Sequence, residues 1–288
     1  MSTIPEFHYR LAGRVGGWRP GSHAGSRLGA GQEFSTHMSL YDWADPRRLD
    51  LHASLRAGVR GELGDWLVRV NRQRAGVAVH AVVDVSASME FGARRSKLEV
   101  AADFVEALGQ SAFRAGDAVG MHAFDASERP ELFVPPRIGR GVGTMMAEQL
   151  RQWRAVARGW EGLPAALLHL AGRQGLVFLV SDFHWPLDGL REALDLLAHA
   201  HVVPMVVWDP AELEAPDADA LALLRDAESG AMRTVWIRPT LRRRWSEAVA
   251  KRRQELEQVF SGHGLRPFFA CGSFDGEAMS RYFLEGEV

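Results

Sequence analysis

Cysteine is almost missing from this chain: 288 residues carry one, Cys271. That excludes an internal disulfide, a thiolate zinc cluster and redox chemistry through a cysteine pair, and it suits a reducing compartment. Neither sign of charge dominates, with 34 Lys and Arg against 36 Asp and Glu, so no global attraction to nucleic acid or an anionic membrane is expected. Long hydrophobic runs are missing as well. The most apolar windows, residues 77–85, 175–181 and 202–208, fall far short of the roughly 20 residues a spanning helix needs. Residues 1–11 include Glu6, His8 and Arg10 without a continuous apolar stretch, which predicts no export signal and a cytoplasmic protein. There is no GxxxxGK[ST] loop, so ATPase chemistry of that kind is not expected. Gly139, Gly141 and Gly143 lack the strand–glycine–helix setting of a dinucleotide site.

What is there divides in two. Residues 1–74 are punctuated by Gly16, Gly17, Gly21, Gly25, Gly29 and Gly31 and carry Arg10, Arg14, Arg19 and Arg27, which predicts an irregular N-terminal arm of turns and loops. Within it, residues 41–50 are dense in charge and aromatics: either a recognition surface, or an arm packed down by Tyr41, Trp43 and Trp66. Residues 75–288 alternate apolar runs with amphipathic stretches. Strands are expected at 77–84, 118–124, 176–182 and 202–208, with weaker ones at 131–134, 233–237 and 265–270. Pro135 and Pro136 should end the 131–134 strand, and Pro204 should mark a strand start or bulge. Helices are expected at 96–113, from Thr144 to about Arg158, and at 163–170, 187–198, 241–260 and 277–284. Acidic residues Asp209, Glu212, Glu214, Asp217 and Asp219 predict an exposed linker or a docking face. Strand–helix alternation at βαβ spacing gives an α/β domain: a doubly wound, mainly parallel sheet flanked by helices.

Ligands of open parallel sheets bind beyond the carboxyl ends of the strands. Asp84, Ser86 and Ser88 fall at such an end, and alternate residues of an extended turn can converge on one point. Thr144, after the glycine-bearing loop, and Asp182, at the end of another strand, add two oxygen donors at matching places. Taken alone, Thr144 reads as a helix cap. Together the five form an all-oxygen set that suits Mg²⁺ or Mn²⁺ and suits zinc poorly.

The pattern Asp84-x-Ser86-x-Ser88, then Thr144, then Asp182, resembles the metal-ion-dependent adhesion site of the von Willebrand factor A (vWA) domain. The resemblance implies that these side chains bind the ion directly or through water, and that a carboxylate of a protein partner supplies the last ligand. Ser26-Arg27-x-Gly29-x-Gly31-x-Glu33-Phe34 further resembles the arm of the DUF58 family, which couples such an arm to a vWA domain. The family's GDD-x-R-x-IDW segment has a divergent counterpart at residues 41–51, where Asp45, Arg48 and Asp50 are kept, the Gly and one Asp of GDD are lost, and Leu49 and Leu51 stand for Ile and Trp. Membership implies company with MoxR-type AAA+ ATPases and, for a related group, maturation of methanol dehydrogenase.

Three functions compete. The first is a non-catalytic, metal-dependent protein-interaction module, an adaptor or chaperone component, with Asp45, Arg47, Arg48 and Asp50 at the partner contact; the alternative for those four is surface solubility and loop-holding salt bridges. The second is a magnesium-dependent hydrolase or phosphotransferase using Asp84 and Asp182. Against it, Ser86 stands where an aspartyl phosphatase wants a second Asp, and His184 is the single histidine near the site in sequence. The third is nucleic-acid binding through Arg242–Arg244 and Lys251–Arg253, but Glu247, Glu255 and Glu257 make that helix mixed-charge.

Overall fold

The computed structural model describes residues 6–11, 20–29, 31, 33–59, 66–215, 221–225 and 232–286. Arg14, Gly16, Gly17, Arg19, Asp217 and Asp219 lie outside them. Two compact units result: the described residues of Leu11–Val77, and those of Ala78–Val288 together with Met1–Arg10.

The smaller unit holds strands β1 (Pro20–Gly29) and β2 (Glu33–Ser39), helix α1 (Leu51–Val59) and strand β3 (Leu67–Ala75). The strands form an antiparallel sheet in the order β1-β3-β2. This corrects the expectation of an irregular arm. The glycines that read as loop punctuation are places where backbones approach closely. A Cβ on Gly21 would lie 2.3 Å from Gly76 Cα, and one on Gly31 would lie 1.7 Å from the Arg72 carbonyl oxygen. Asp45 caps a short 3₁₀ turn by accepting from the Arg47 N–H and pairs with Arg48 at 3.2 Å. Asp50 accepts from the Ala53 N–H at 3.0 Å and lies 3.1 Å from His37 Nε2. Three of the four expected contact residues are thus engaged within their own unit, while Arg47 is exposed.

The larger unit runs β4 (Ala78–Asp84), α2 (Lys97–Ala115), β5 (Ala118–Phe124), β6 (Val134–Arg137), α3 (Val142–Gln152), α4 (Leu163–Leu168), β7 (Leu176–Ser181), α5 (Leu190–Asp195), β8 (His201–Trp208), α6 (Pro210–Leu213), β9 (Leu221–Arg225), β10 (Met232–Trp236), α7 (Pro239–Ser261), β11 (Phe268–Cys271) and α8 (Gly276–Glu285). Its six-stranded sheet has the order β11-β8-β7-β4-β5-β6. All pairings are parallel except β5 with β6. Strand alternation splits the core. On β7, Val177 and Leu179 face a cluster with Leu163 and Leu167 of α4, Leu190 of α5 and Phe260 of α7. Phe178 points the other way and packs edge-on to Phe104 of α2, with ring centroids 5.0 Å apart. Phe7 joins that face and donates its N–H to Ser111 Oγ at 2.9 Å.

The prolines depart from expectation. Pro135 and Pro136 lie inside β6 instead of ending a strand, because β6 is an edge strand and its outer side needs no N–H donors. Pro204 lies within β8, opposite Leu179 of β7, with no bulge at that pairing. β11 begins to pair with β8 only at Met205, so β8 is still an edge at Pro204. Two helix readings also change. Helix α3 stops at Gln152 rather than near Arg158, and Thr144 sits in its first turn instead of capping it; the cap position is Gly141. The acidic stretch is not simply linker: Asp209 is buried and caps α6. Basic residues of α7 pair along the helix, Arg243 with Glu247 and Arg253 with Glu257, as a mixed-charge helix does.

Helices α2 and α3 cross at two glycines. A Cβ on Gly109 would lie 2.3 Å from Gly143 Cα, and neither backbone can yield cheaply. Gly109→Ala is expected to cost about 1–3 kcal/mol in urea unfolding, because α3 must shift outward, carrying Thr144 with it.

Beneath the opposite face, His80 of β4 and His122 of β5 are buried with rings 5.6 Å apart, and the Nδ1 of each meets no hydrogen-bond partner among the described residues. Burial pushes both imidazoles down to about 4, helped by Arg173 for His80 and by His80 and His169 for His122. The unfolded chain therefore takes up these protons first, and stability, full above about pH 6.5, falls as pH falls toward 4. His122→Leu is expected to remove about 2 kcal/mol of the loss seen at about pH 5. Urea midpoints of both proteins across that range check this.

Candidate functional site

Strands β4 and β7 are neighbours in the middle of the sheet, so Asp84 and Asp182 emerge side by side at their carboxyl ends. Both are fully buried. Asp84 Oδ1 accepts the Ser86 N–H at 2.9 Å. Its Oδ2 accepts from Ser181 Oγ at 2.6 Å and from Trp185 Nε1 at 3.3 Å. Ser86 Oγ and Ser88 Oγ are 3.2 Å apart, and both residues are buried. The loop carrying them is held from outside: Trp153 Nε1 donates to the Val85 carbonyl and the Ala155 N–H to Glu90.

Asp182 has different company. Its Oδ1 accepts the His184 N–H at 3.1 Å, and its Oδ2 accepts from Lys97 Nζ at 2.6 Å. Lys97 Nζ also donates to Glu212 Oε1 at 2.6 Å, and the lysine side chain is only 2% exposed. Glu212 Oε2 in turn accepts the Asp209 N–H in the capping box of α6. His184 Nε2 lies 3.6 Å from Glu212 Oε1, and its ring stacks on Trp208. Asp182, His184 and Glu212 offer ligand atoms within 4.8 Å of one another. The turn between them is strained: Phe183, buried, has φ of 52°. Arg252 of α7 donates to the carbonyls of Phe183 and Trp185 and so fixes that turn.

The electrostatics follow. Burial, then the charge of Asp182, pushes Asp84 up to about 7. Burial would raise Asp182 too, but the Lys97 ammonium and His184 hold it below its ordinary value. Glu212 is held down in the same way by His184 and Lys97. Burial would lower Lys97, yet Asp182 and Glu212 keep it above its ordinary value. Asp182 and Glu212 thus share the Lys97 ammonium, while Asp84, which among the described residues no positive group contacts, is left beside the like charge of Asp182. A divalent cation fits that deficit, and the donors beside Asp84 are all oxygens.

Of the five residues expected from sequence, hydrogen bonds and neighbouring strand ends bring Asp84, Ser86, Ser88 and Asp182 together. Thr144 is half-buried on the first turn of α3, and among the described residues no hydrogen bond ties it to them. Lys97, Ser181, Trp185, Glu212 and Arg252 were not foreseen. Lys97 had a signal: with Ala101, Phe104 and Leu108 it lies on the buried stripe of α2, where a lysine needs a partner. Glu212 had one as well, since Asp209-x-x-Glu212 is a capping-box spacing. For nucleophilic chemistry the arrangement offers little. Among the described residues no histidine bonds Ser86 or Ser88, and burial, then Asp209, pushes the Cys271 thiol up.

The fold and site define an α/β sheet protein with a paired-carboxylate centre at its strand ends. A family described as a protein of unknown function, DUF58, matches residues 45–255, and the chain belongs to it. An uncharacterized protein of Mycobacterium tuberculosis is 29% identical over 259 residues, 85% of this chain and 76% of its own length. Among solved structures, the conserved hypothetical protein BatB of Bacteroides thetaiotaomicron is 18% identical, covers 73% of this chain and 98% of its own, and has a TM-score of 0.48. A von Willebrand factor type A structure from Catenulispora acidiphila is 12% identical over 76% of this chain and 43% of its own, with a TM-score of 0.37. Among the described residues no helix is long and apolar enough to cross a membrane.

Proposed function

We propose that this chain is a non-catalytic, metal-dependent protein-interaction module. Asp84, Ser86, Ser88, Thr144 and Asp182 hold Mg²⁺ or Mn²⁺. The bound ion supplies an open coordination position that a partner's carboxylate fills. The observation that carries this reading is the buried pair Asp84 and Asp182, side by side at neighbouring strand ends, in which burial and then the Asp182 charge push Asp84 up to about 7. Lys97 bonds Asp182 and Glu212 and, among the described residues, does not bond Asp84, so the serine side remains for the ion. Family membership, together with the motif resemblance, supports an adaptor or chaperone role beside a MoxR-type AAA+ ATPase in maturation of a client protein. Scarce cysteine supports a cytoplasmic setting.

The test is a pull-down from the source cell's lysate in Mg²⁺ and in chelator. A partner retained only in Mg²⁺, and lost with Asp84→Ala, is the expected result, with an AAA+ ATPase among the captured proteins. Identical captures in both conditions count against metal-dependent docking. Phosphatase turnover that disappears in Asp84→Ala would instead establish the hydrolase reading.

A further inference from the structure

Beside the carboxylate centre lies a groove of about 380 Å³ between the end of β8, α6 and α7. Its walls are Trp208, Leu213, Leu241, Trp245 and Val249. Both tryptophans are fixed from behind: Trp208 Nε1 donates to the Asp182 carbonyl at 2.9 Å and Trp245 Nε1 to the Glu212 carbonyl at 2.7 Å. The indole rings are thus wedged against the backbone of two residues of the charged centre. His184 and Glu212 line the groove at its inner end, and Asp182 is within ligand distance of both. At the rim Arg244 is exposed and makes no ion pair among the described residues. An apolar trough of this size takes one or two large apolar side chains. Its rim arginine and its neighbouring cation position both select a negatively charged visitor.

We propose that the partner segment which places a carboxylate on the metal also seats a large apolar side chain, a few residues away, in this groove. The occupant is therefore an acidic–apolar peptide segment of another protein. This rests on the metal-dependent reading of the same site and adds the specificity that reading lacks: any carboxylate can meet the ion, but only one with a Phe- or Leu-like neighbour fills the trough.

The probe is the blocked peptide Ac-Gly-Glu-Gly-Phe-Gly-amide, with its Glu→Gln and Phe→Ala versions, titrated into the full chain in Mg²⁺ and in chelator. Binding is read from the indole N–H resonances of Trp208 and Trp245. The Phe→Ala peptide is expected to bind wild type about tenfold more weakly. Ala248→Trp fills the groove from an exposed position of α7 outside the metal set, and should remove that difference while keeping dependence on Mg²⁺ and Glu. Arg244→Glu, also exposed, should weaken the parent peptide severalfold without changing the response of the free protein to Mg²⁺. Mg²⁺ dependence without a Phe preference overturns the groove alone. A Phe preference that ignores Mg²⁺ and Glu overturns the metal reading and the joint site with it. No indole shift with any peptide at its solubility limit overturns the proposal outright.

Discussion

Lys97→Met is expected to lower the unfolding free energy in chelator by about 3–5 kcal/mol, the usual cost of removing one partner from a buried charge pair. Methionine keeps the length and packing of the aliphatic stem, so the change isolates the ammonium. That ammonium lies 2.6 Å from both Asp182 and Glu212, with 2% of the side chain exposed, so solvent cannot replace it. At roughly 2–4 °C per kcal/mol for a domain of this size, the melting temperature should fall by roughly 6–20 °C. Divalent cation should recover part of the loss, because without Lys97 the three carboxylates bind the ion more strongly. A drop below roughly 2 °C in chelator would mean that Asp182 and Glu212 are not both ionised, and the charge deficit that motivates the metal site would disappear.

Lys97 also shows where reading the sequence stops. Asp84 and Asp182 were legible because their strands are mostly apolar runs, 78–83 with one histidine and 176–180, and a carboxylate following such a run has to emerge at the sheet's edge. Ser86 and Ser88 followed from the turn. Lys97 and Glu212 are 115 residues apart, and nothing local in either says that they meet. Their pairing is a product of strand order, which puts β8 and α6 beside β7 across from the start of α2. Arg252 is hidden in the same way: its place on α7 looks like one charge among many until Phe183 turns out to need its carbonyl held.

The N-terminal sheet was misread for a different reason. Glycine removes both the Cβ and the propensity signal, so β1 reads as loop, although its glycines are what allow it to lie against β3. Proline misled in the opposite direction. Pro135, Pro136 and Pro204 argue against strands in isolation, and only topology reveals which strand side is left unpaired.

Asp84→Asn should uncouple metal binding from folding. In wild type, Mg²⁺ at roughly a hundredfold above its Kd should add about 2.7 kcal/mol of stability, a rise of roughly 5–11 °C in melting temperature. The variant should gain nothing, because the negative charge that demands a dication is gone. Its cost in chelator should be small by comparison. Asparagine still offers an oxygen to the Ser86 N–H, and the buried charge and its like-charge contact with Asp182, which together push Asp84 upward, disappear. This opposite behaviour in the two buffers separates an ion-binding carboxylate from a structural one. Were Asp84 only a partner for Ser181 and Trp185, the variant would lose stability equally with and without Mg²⁺. Lys97→Met and Asp84→Asn therefore move in opposite senses toward the ion: one deepens the negative charge and should tighten Mg²⁺ binding, and the other removes it. Isothermal titration of the two variants with MgCl₂ against wild type makes the ordering measurable, and a tighter Asp84→Asn than Lys97→Met would place the ion elsewhere.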